Sequence, residues 1–442
     1  MDSENHSSSS SHWNPEGWAE PKFQKETNGI YNFHALPGAG FDRELDAKLF
    51  LHTVHDGNWV PEFLSGLDRK EFASSFRHER DWGANRVAES LALKLGVSGF
   101  HHVLIARSVF DFGRFPGVSQ AEDDHLTRLA IRPDLARELR RQDRAEALRR
   151  ILDLYNDISQ TYEGFHRRRL QDPDIGQRPL VSLALHTYDE WNPSGTRRPA
   201  VSLIFRPTSY QEQAKLRHGL FDPLYPDELA EFTADRNLAH RMALALGRRY
   251  IPAGMNFPYT LPEGSLEMRT QVWLFFRYLR HHYQPGPRAE EAGEAAQEAV
   301  WKMLFNTNRG HMETQVLWSY LHEFKRIPEG FTLENGVRPS QAEAVYQDIQ
   351  LFLRDRRPDL IPNYRYTTHR PSSLAIEVRK DWLFEGFHDG EEFKGQSLRE
   401  DRLQDLTDAL AEALRHYLDQ DLPEREQQED RWRNSGQWPP HF

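Results

Sequence analysis

The chain has 442 residues, 38% of them hydrophobic and 12% aromatic, which is enough to bury a large core and too apolar for a disordered chain. Its 56 Lys and Arg against 67 Asp and Glu leave a formal charge of −11, which argues against a protein that holds nucleic acid by neutralising phosphates. Cysteine is absent, so disulfides, thiolate metal sites, iron–sulfur clusters and a cysteine nucleophile are excluded, and any metal must be held by His, Asp or Glu; 21 His are available.

In chain order, residues 1–25 are Ser-rich and polar and read as a disordered arm. The apolar run AKLFLHTV over 47–54 reads as a buried strand. Residues 82–95 place apolar side chains at helical spacing and stop at Gly96. The run HVLIAR over 102–107 is a second strand. A highly charged helical stretch follows over 133–170, with Arg140-Arg141 and Arg167-Arg168-Arg169 on solvated faces. Two further apolar strands are LVSLALH at 180–186 and AVSLIF at 200–205. Strands alternating with helices predict an α/β fold with a mostly parallel or mixed central sheet and helices on both faces. Such sheets bind ligands at the carboxyl ends of their strands.

Beyond residue 227 the pattern turns helical to 250, then passes through the turn-rich IPAGMNFPY into GSLEMRTQVWL at 264–274. The order Ile-Pro, Asn, Tyr, Ser-Leu, Glu-x-Arg and Trp-Leu-Phe recurs over 361–384, which is either an internal duplication or chance. The expected division is an α/β catalytic domain from 26–206 with 360–420, a mostly helical insertion at 207–359, and a weakly ordered tail at 421–442. No apolar run approaches the roughly 20 residues of a membrane span, and the N-terminus lacks a basic-then-apolar leader. A cytoplasmic chain without membrane or nucleic-acid partners is the expectation.

Several His and acidic residues fall at expected strand ends. His55-Asp56-Gly57 closes the first strand, Glu79-Arg80-Asp81 precedes the first helix, Arg107, Asp111 and Arg114 follow the second strand, and His186 closes the third. A catalytic zinc takes about three nitrogen or oxygen ligands and keeps one position open, and two imidazoles with one carboxylate supply that. His52 lies inside the apolar run and reads as a structural, hydrogen-bonded histidine. Glu79 and Asp81 equally suit helix capping. There is no GxSxG elbow, HExxH helix or Gly-rich phosphate loop.

At these residues the chain resembles the N-formylglutamate amidohydrolase family, which is related in fold to zinc carboxypeptidases and aspartoacylases. The resemblance spans roughly 50–205 and 360–420. It rests on His55-Asp56-Gly57-Asn58-Trp59-Val60-Pro61, Glu79-Arg80-Asp81-Trp82, the stretch from Arg107 to Arg114, Ala184-Leu185-His186-Thr187, and Ile376-Glu377-Val378-Arg379-Lys380-Asp381-Trp382. The chain departs from the family at Val54 (Pro there), Gly113 (Asn there) and Ala184 (Asp there). The loss at 184 removes a partner for a zinc-bound His.

The resemblance implies a zinc-carboxypeptidase-like fold and one Zn2+ per chain, held by His55, Glu79 and His186 with Asp81 the alternative carboxylate. It implies an amidohydrolase that cleaves the C–N bond of an N-acyl, formyl-like amino acid or small peptide-like substrate bearing a carboxylate. A glutamate would take the proton of the attacking water; Glu377 is the first candidate and Glu267 the competitor. Arg107 and Arg114 would hold the substrate carboxylate or stabilise the oxyanion, with Asp111 orienting one of them and Tyr259, Tyr366 and Arg379 as further lining residues. Two other readings stand beside it: a carboxypeptidase-like or isopeptide-cleaving enzyme on larger substrates, and a catalytically degenerate binding protein.

Overall fold

The structure is a computed structural model. It describes residues 20–25, 31–36, 41–67, 69–120, 128–171, 180–206, 221–230, 233–307, 312–323, 330–368, 370–389 and 392–435. The expected arm before residue 20 and the stretch 207–220 of the expected insertion lie outside these.

The strands are β1 (Lys22–Gln24), β2 (Tyr31–Ala35), β3 (Leu49–Thr53), β4 (Trp59–Pro61), β5 (Gly99–Val103), β6 (Val181–Tyr188), β7 (Val201–Ile204), β8 (Ala253–Met255) and β9 (Ser372–Arg379). Seven of them form one sheet in the order β2-β5-β3-β6-β9-β7-β8, and β1 pairs separately with β4. The central strands β5, β3, β6 and β9 run parallel, while β2 and β7 join antiparallel at the flanks. The expected mixed α/β sheet is therefore present. The second strand lies a few residues earlier than the HVLIAR run, because its tail turns out into the loop that carries Arg107.

The sheet is covered on both faces, and β3 shows why. Successive side chains of a strand point to opposite faces. Phe50 packs against Tyr162, Phe165 and His166 of the helix Ala145–Gln171. Thr53, one register step out of phase, donates to Asn85 of the helix Ala84–Leu95 at 2.5 Å. That helix ends at Gly96, whose φ of 69° is the left-handed conformation glycine adopts without a Cβ penalty.

The long helix Leu266–His282 begins against the carboxyl edge of the sheet and carries its other end into a second apolar cluster. There Phe275 and Phe276 meet Leu304, Val345, Ile349 and Tyr364. The helices of this cluster fall largely within the stretch expected as an insertion, but Leu360 and Tyr364 lie beyond 359. The helix Arg236–Arg248 and β8 belong to the sheet, because Leu238, Met242 and Leu246 pack into the core that lies against it and β8 pairs with β7.

One further expectation is corrected. The segment 422–435 is a helix, not a weakly ordered tail: Arg425 pairs with Asp235, and Glu429 accepts from the Thr368 backbone and hydroxyl at 2.7 and 3.0 Å. Of the two readings of the recurring order, chance is the one the structure favours, since Glu267 lies in the first turn of a helix whereas Glu377 lies on a strand. Among the described residues no helix is long and apolar enough to cross a membrane.

Candidate active site

The parallel strands β3 and β6 lie side by side, with His52 in register with Ala184, so the chain leaving β3 and the end of β6 face one another at the same edge. His55 lies just past β3 and His186 on β6. The turn after His55 is tied down from below. A Cβ on Gly57 would meet the Leu104 carbonyl oxygen at 2.3 Å, so only glycine lets the turn approach β5 this closely.

Asp56 is buried and accepts from Arg80 Nε at 2.7 Å and from the Asn85 backbone at 2.9 Å, while Arg80 Nη2 donates to the Asp56 carbonyl at 3.0 Å. Burial pushes the Asp56 carboxyl up to about 6 against the opposing pull of Arg80. Arg80 therefore clamps the segment carrying His55 to the segment carrying Asp81, whose backbone N–H donates to the His55 carbonyl at 3.2 Å.

Above this clamp, the side chains of His55, Asp81 and His186 converge. One ligand atom from each lies within 4.8 Å of the others, a group able to hold a metal ion. Asp81 Oδ2 is 2.8 Å from His186 Nδ1 and 3.4 Å from His55 Nδ1. His55 Nε2 is 2.7 Å from Asp111 Oδ1.

The fit to a divalent ion is supported by one orphaned atom. His55 Nδ1 is buried without a hydrogen-bond partner, while its opposite nitrogen is held by a carboxylate. A proton on Nε2 shared with Asp111 leaves Nδ1 a free lone pair, the form a metal requires. Two imidazoles and a carboxylate are a zinc-type donor set.

Charge around the triad is tightly matched. Arg107 donates to Asp81 and to Asp111, each at 2.9 Å. Burial pushes both carboxyls up, but Arg107 and the histidines outweigh it and hold both well below the usual carboxylate range. His186 feels burial downward, but its bond to Asp81 and the nearby Glu377 raise it to about 9. Arg114 is buried, 4.0 Å from Asp111, and pulled down by burial with Arg107 and Arg128 adding to the fall against Asp111.

The triad opens into a cavity of about 1120 Å3, whose walls include Arg107, Arg114, Tyr259, Glu267 and Glu377. Glu377 stands beside His186 in the β6–β9 register, and the Tyr259 hydroxyl donates to it. Glu267 is committed elsewhere: its carboxylate lies 3.2 Å from His52 Nε2. Burial pushes Glu267 up, but the His52 contact and His186 bring it down to about 2.

Of the residues expected in the site, the structure brings together His55, Asp81, His186, Arg107, Asp111, Arg114, Tyr259, Glu267 and Glu377. Glu79 lines the same cavity but is not in the metal-capable group. It ends the helix Arg69–Glu79, where Ser75 donates to it at 3.2 Å and Arg132 takes its charge, so Asp81 is the carboxylate that meets the histidines. Arg379 is not in the cavity wall; it pairs with Asp381 at 2.7 Å and lines a separate groove with Trp382. Tyr366 also falls outside, on the helix Leu360–Tyr366.

His52 is buried within β3 as expected, but neither of its ring nitrogens makes the expected hydrogen bond; Nε2 has only an ion-pair contact, 3.2 Å from the Glu267 carboxylate. Sequence reasoning missed Arg198 and Lys380 in the cavity wall and the carboxylate that Asp111 offers to His55. The spacing of Arg107 and Asp111 exposed their mutual pairing but held no sign of a histidine arriving from another strand.

The fold is thus a mixed α/β sheet with a His–Asp–His group, able to hold a metal, at the carboxyl edge of its parallel strands. No protein-family model matches the chain, and no curated protein matches its sequence. Among solved structures it is similar to a gene product from Agrobacterium tumefaciens, at 14% identity and a TM-score of 0.36, covering 90% of this chain and 98% of that one. It is also similar to the N-formylglutamate amidohydrolase from Ralstonia eutropha JMP134, at 12% identity and a TM-score of 0.37, covering 88% of this chain and 98% of that one.

Proposed function

We propose that the chain is a zinc-dependent hydrolase that cleaves the amide C–N bond of an N-acyl amino acid. The observation that carries this reading is the convergence of His55, Asp81 and His186 on one point beside Glu377, in the floor of a large cavity. A divalent ion held by His55, Asp81 and His186 would supply Lewis acidity at this point.

The protein's own groups do the rest. Asp111 fixes the ring of His55 and Arg107 fixes both aspartates. Glu377 takes a proton from the attacking water and returns it to the leaving nitrogen. The water oxygen ends on the acyl carbon as a new carboxylate, and the C–N electron pair leaves with the protonated amine. Glu377 is preferred to Glu267 as the base because its known partner is the hydroxyl of Tyr259, whereas Glu267 is an ionised group already facing His52. Arg114 offers its guanidinium to the substrate carboxylate. A peptide-sized substrate is a second reading, favoured by a cavity somewhat above the roughly 300–1,000 Å3 of sites that enclose drug-sized ligands.

The test is metal content with paired variants. The protein purified gently is expected to hold about one zinc per chain, and His186→Ala to lose both metal and turnover while keeping its far-UV spectrum. Glu377→Gln is expected to lose at least about 100-fold in kcat with zinc retained. No zinc, and no rescue on adding it, would end the reading.

A further inference from the structure

The cavity carries positive charge on two sides of the metal-capable triad. Along the sheet order β5-β3-β6-β9-β7, Arg107 and Arg114 follow β5, His55 follows β3, His186 is on β6, Lys380 follows β9, and Arg198 precedes β7. Because β7 runs antiparallel to β9, its start lies at the same edge as the ends of the parallel strands, so Arg198 reaches the same cavity from the far flank. The strands β5 and β7 are four spacings apart, about 19 Å at about 4.8 Å each.

The two flanks differ in how their charge is used. Arg107 is spent on Asp81 and Asp111. On the far flank, Lys380 takes the carboxylate of Asp189 at 3.0 Å. Arg198 is left over. It lies over the Tyr188 ring, 4.9 Å from ring centre to guanidinium carbon, and its Nη1 donates to the Asp189 backbone carbonyl at 3.0 Å. Its Nε is buried without a hydrogen-bond partner, and among the described residues Arg198 has no carboxylate partner. With Nη1 on the Asp189 carbonyl and no carboxylate of its own, the Arg198 guanidinium is suited to donate a charge-assisted hydrogen bond to a ligand carboxylate. Stacking on Tyr188 pre-orients it.

We propose that Arg198 binds an acidic group on the acyl side of the substrate, opposite the amino-acid carboxylate at Arg114. The substrate class is then an amide with an acid on both sides of the scissile bond: an N-acyl amino acid whose acyl chain itself ends in a carboxylate. Arg198 is the residue that sets this specificity. The proposal rests on the hydrolase reading for the bond that breaks, but the recognition follows from the charges alone.

Binding separates the two. The probes are N-succinyl-L-glutamate and N-butanoyl-L-glutamate, which share an acyl chain length and differ by a carboxylate in place of a methyl. Affinities are measured by calorimetry in Glu377→Gln protein, with and without Arg198→Gln. The succinyl compound is expected to bind at least tenfold tighter than the butanoyl one. Arg198→Gln is expected to bring the ratio near one, and Arg198→Lys to restore part of it. A ratio near one with Arg198 present, or a tenfold ratio untouched by Arg198→Gln, overturns the proposal. If the native enzyme hydrolyses neither compound while the Arg198-dependent ratio holds, the acid recognition stands and the hydrolase reading falls.

Discussion

The clamp between Arg80 and Asp56 is the feature of the site whose energetics the structure defines most directly. Both side chains are at most 1% exposed. Arg80→Met removes the cation that opposes burial at Asp56, so the carboxyl, already up at about 6, takes a proton and sits neutral in the interior, at a cost of about 1–3 kcal/mol for the lost hydrogen bonds. Asp56→Asn leaves the Arg80 cation without its carboxylate, bonded to the backbone carbonyl of residue 56 and lying 4.3 Å over the Trp82 ring. A guanidinium cannot shed its proton to escape, so this single costs about 3–5 kcal/mol. The double variant strands nothing, so it should cost less than the sum of the singles by about 2 kcal/mol, within the range seen for contacting residues. The described residues form three hydrophobic clusters, so a single global midpoint is a poor measure. Hydrogen exchange of the amides over 49–61 and 79–95 reports local opening where the clamp acts. Zinc affinity measured by chelator competition should fall in both singles, because the clamp sets the approach of Asp81 to His55. Single variants that lose less than about 1 kcal/mol of protection, or a double variant that equals the sum of the singles, would refute the reasoning.

Three other outcomes follow from the same geometry. Asp111→Asn should weaken zinc binding about 10–100-fold in chelator competition, because it removes the carboxylate 2.7 Å from His55 Nε2 while keeping the side chain's shape. Gly57→Ala should cost about 1–3 kcal/mol in thermal or urea unfolding, since its Cβ would meet backbone oxygen at 2.3 Å. Stability should fall as the pH drops below about 6.5. Burial, with His52, His102 and Arg168 nearby, lowers His101 from 6.5 to about 3, so the folded form stays neutral while the unfolded chain binds the proton. That term is about 2 kcal/mol at pH 5, and His101→Phe, placed among Phe33, Phe50 and Phe165, should flatten the unfolding profile between pH 6.5 and 4.5.

The parts of the fold that were legible in the sequence are those that local chemistry dictates. The β3 run and the stop at Gly96 could be found because an apolar strand and a left-handed cap each leave a mark within a few residues. The helix Arg69–Glu79 went unseen because its polar, charged run carries a weak apolar stripe. The helix Leu422–Ser435 was hidden for a different reason: it is held by ion pairs and side-chain hydrogen bonds to Asp235 and Thr368, whose proximity arises only after folding. The recurrence between 264–274 and 373–384 could not be decided in the sequence because a Glu-x-Arg tripeptide fits a helix or a strand equally, and only the neighbours decide.

The site divides in the same way, and the division explains the departure at Ala184. In the sequence, loss of an aspartate there reads as loss of support for a ligand histidine. In the folded chain Ala184 is fully buried beside His52, in the middle of the sheet, two residues before the edge where His186 emerges. The carboxylates that steady the histidines come from elsewhere: Asp111 reaches His55 from the loop after β5, and Asp81 meets His186 from the turn before a helix. Arg107 then ties those two carboxylates into one unit. A motif read along one strand cannot reveal this, because the carboxylates beside the histidines come from other segments of the chain. The same reasoning separates Glu377 from Glu267. Both are buried acids in one cavity wall, but Glu267 faces a histidine of the sheet and Glu377 a tyrosine hydroxyl; among the described residues Glu377 has no ionic partner, which is why it is the one proposed as the base.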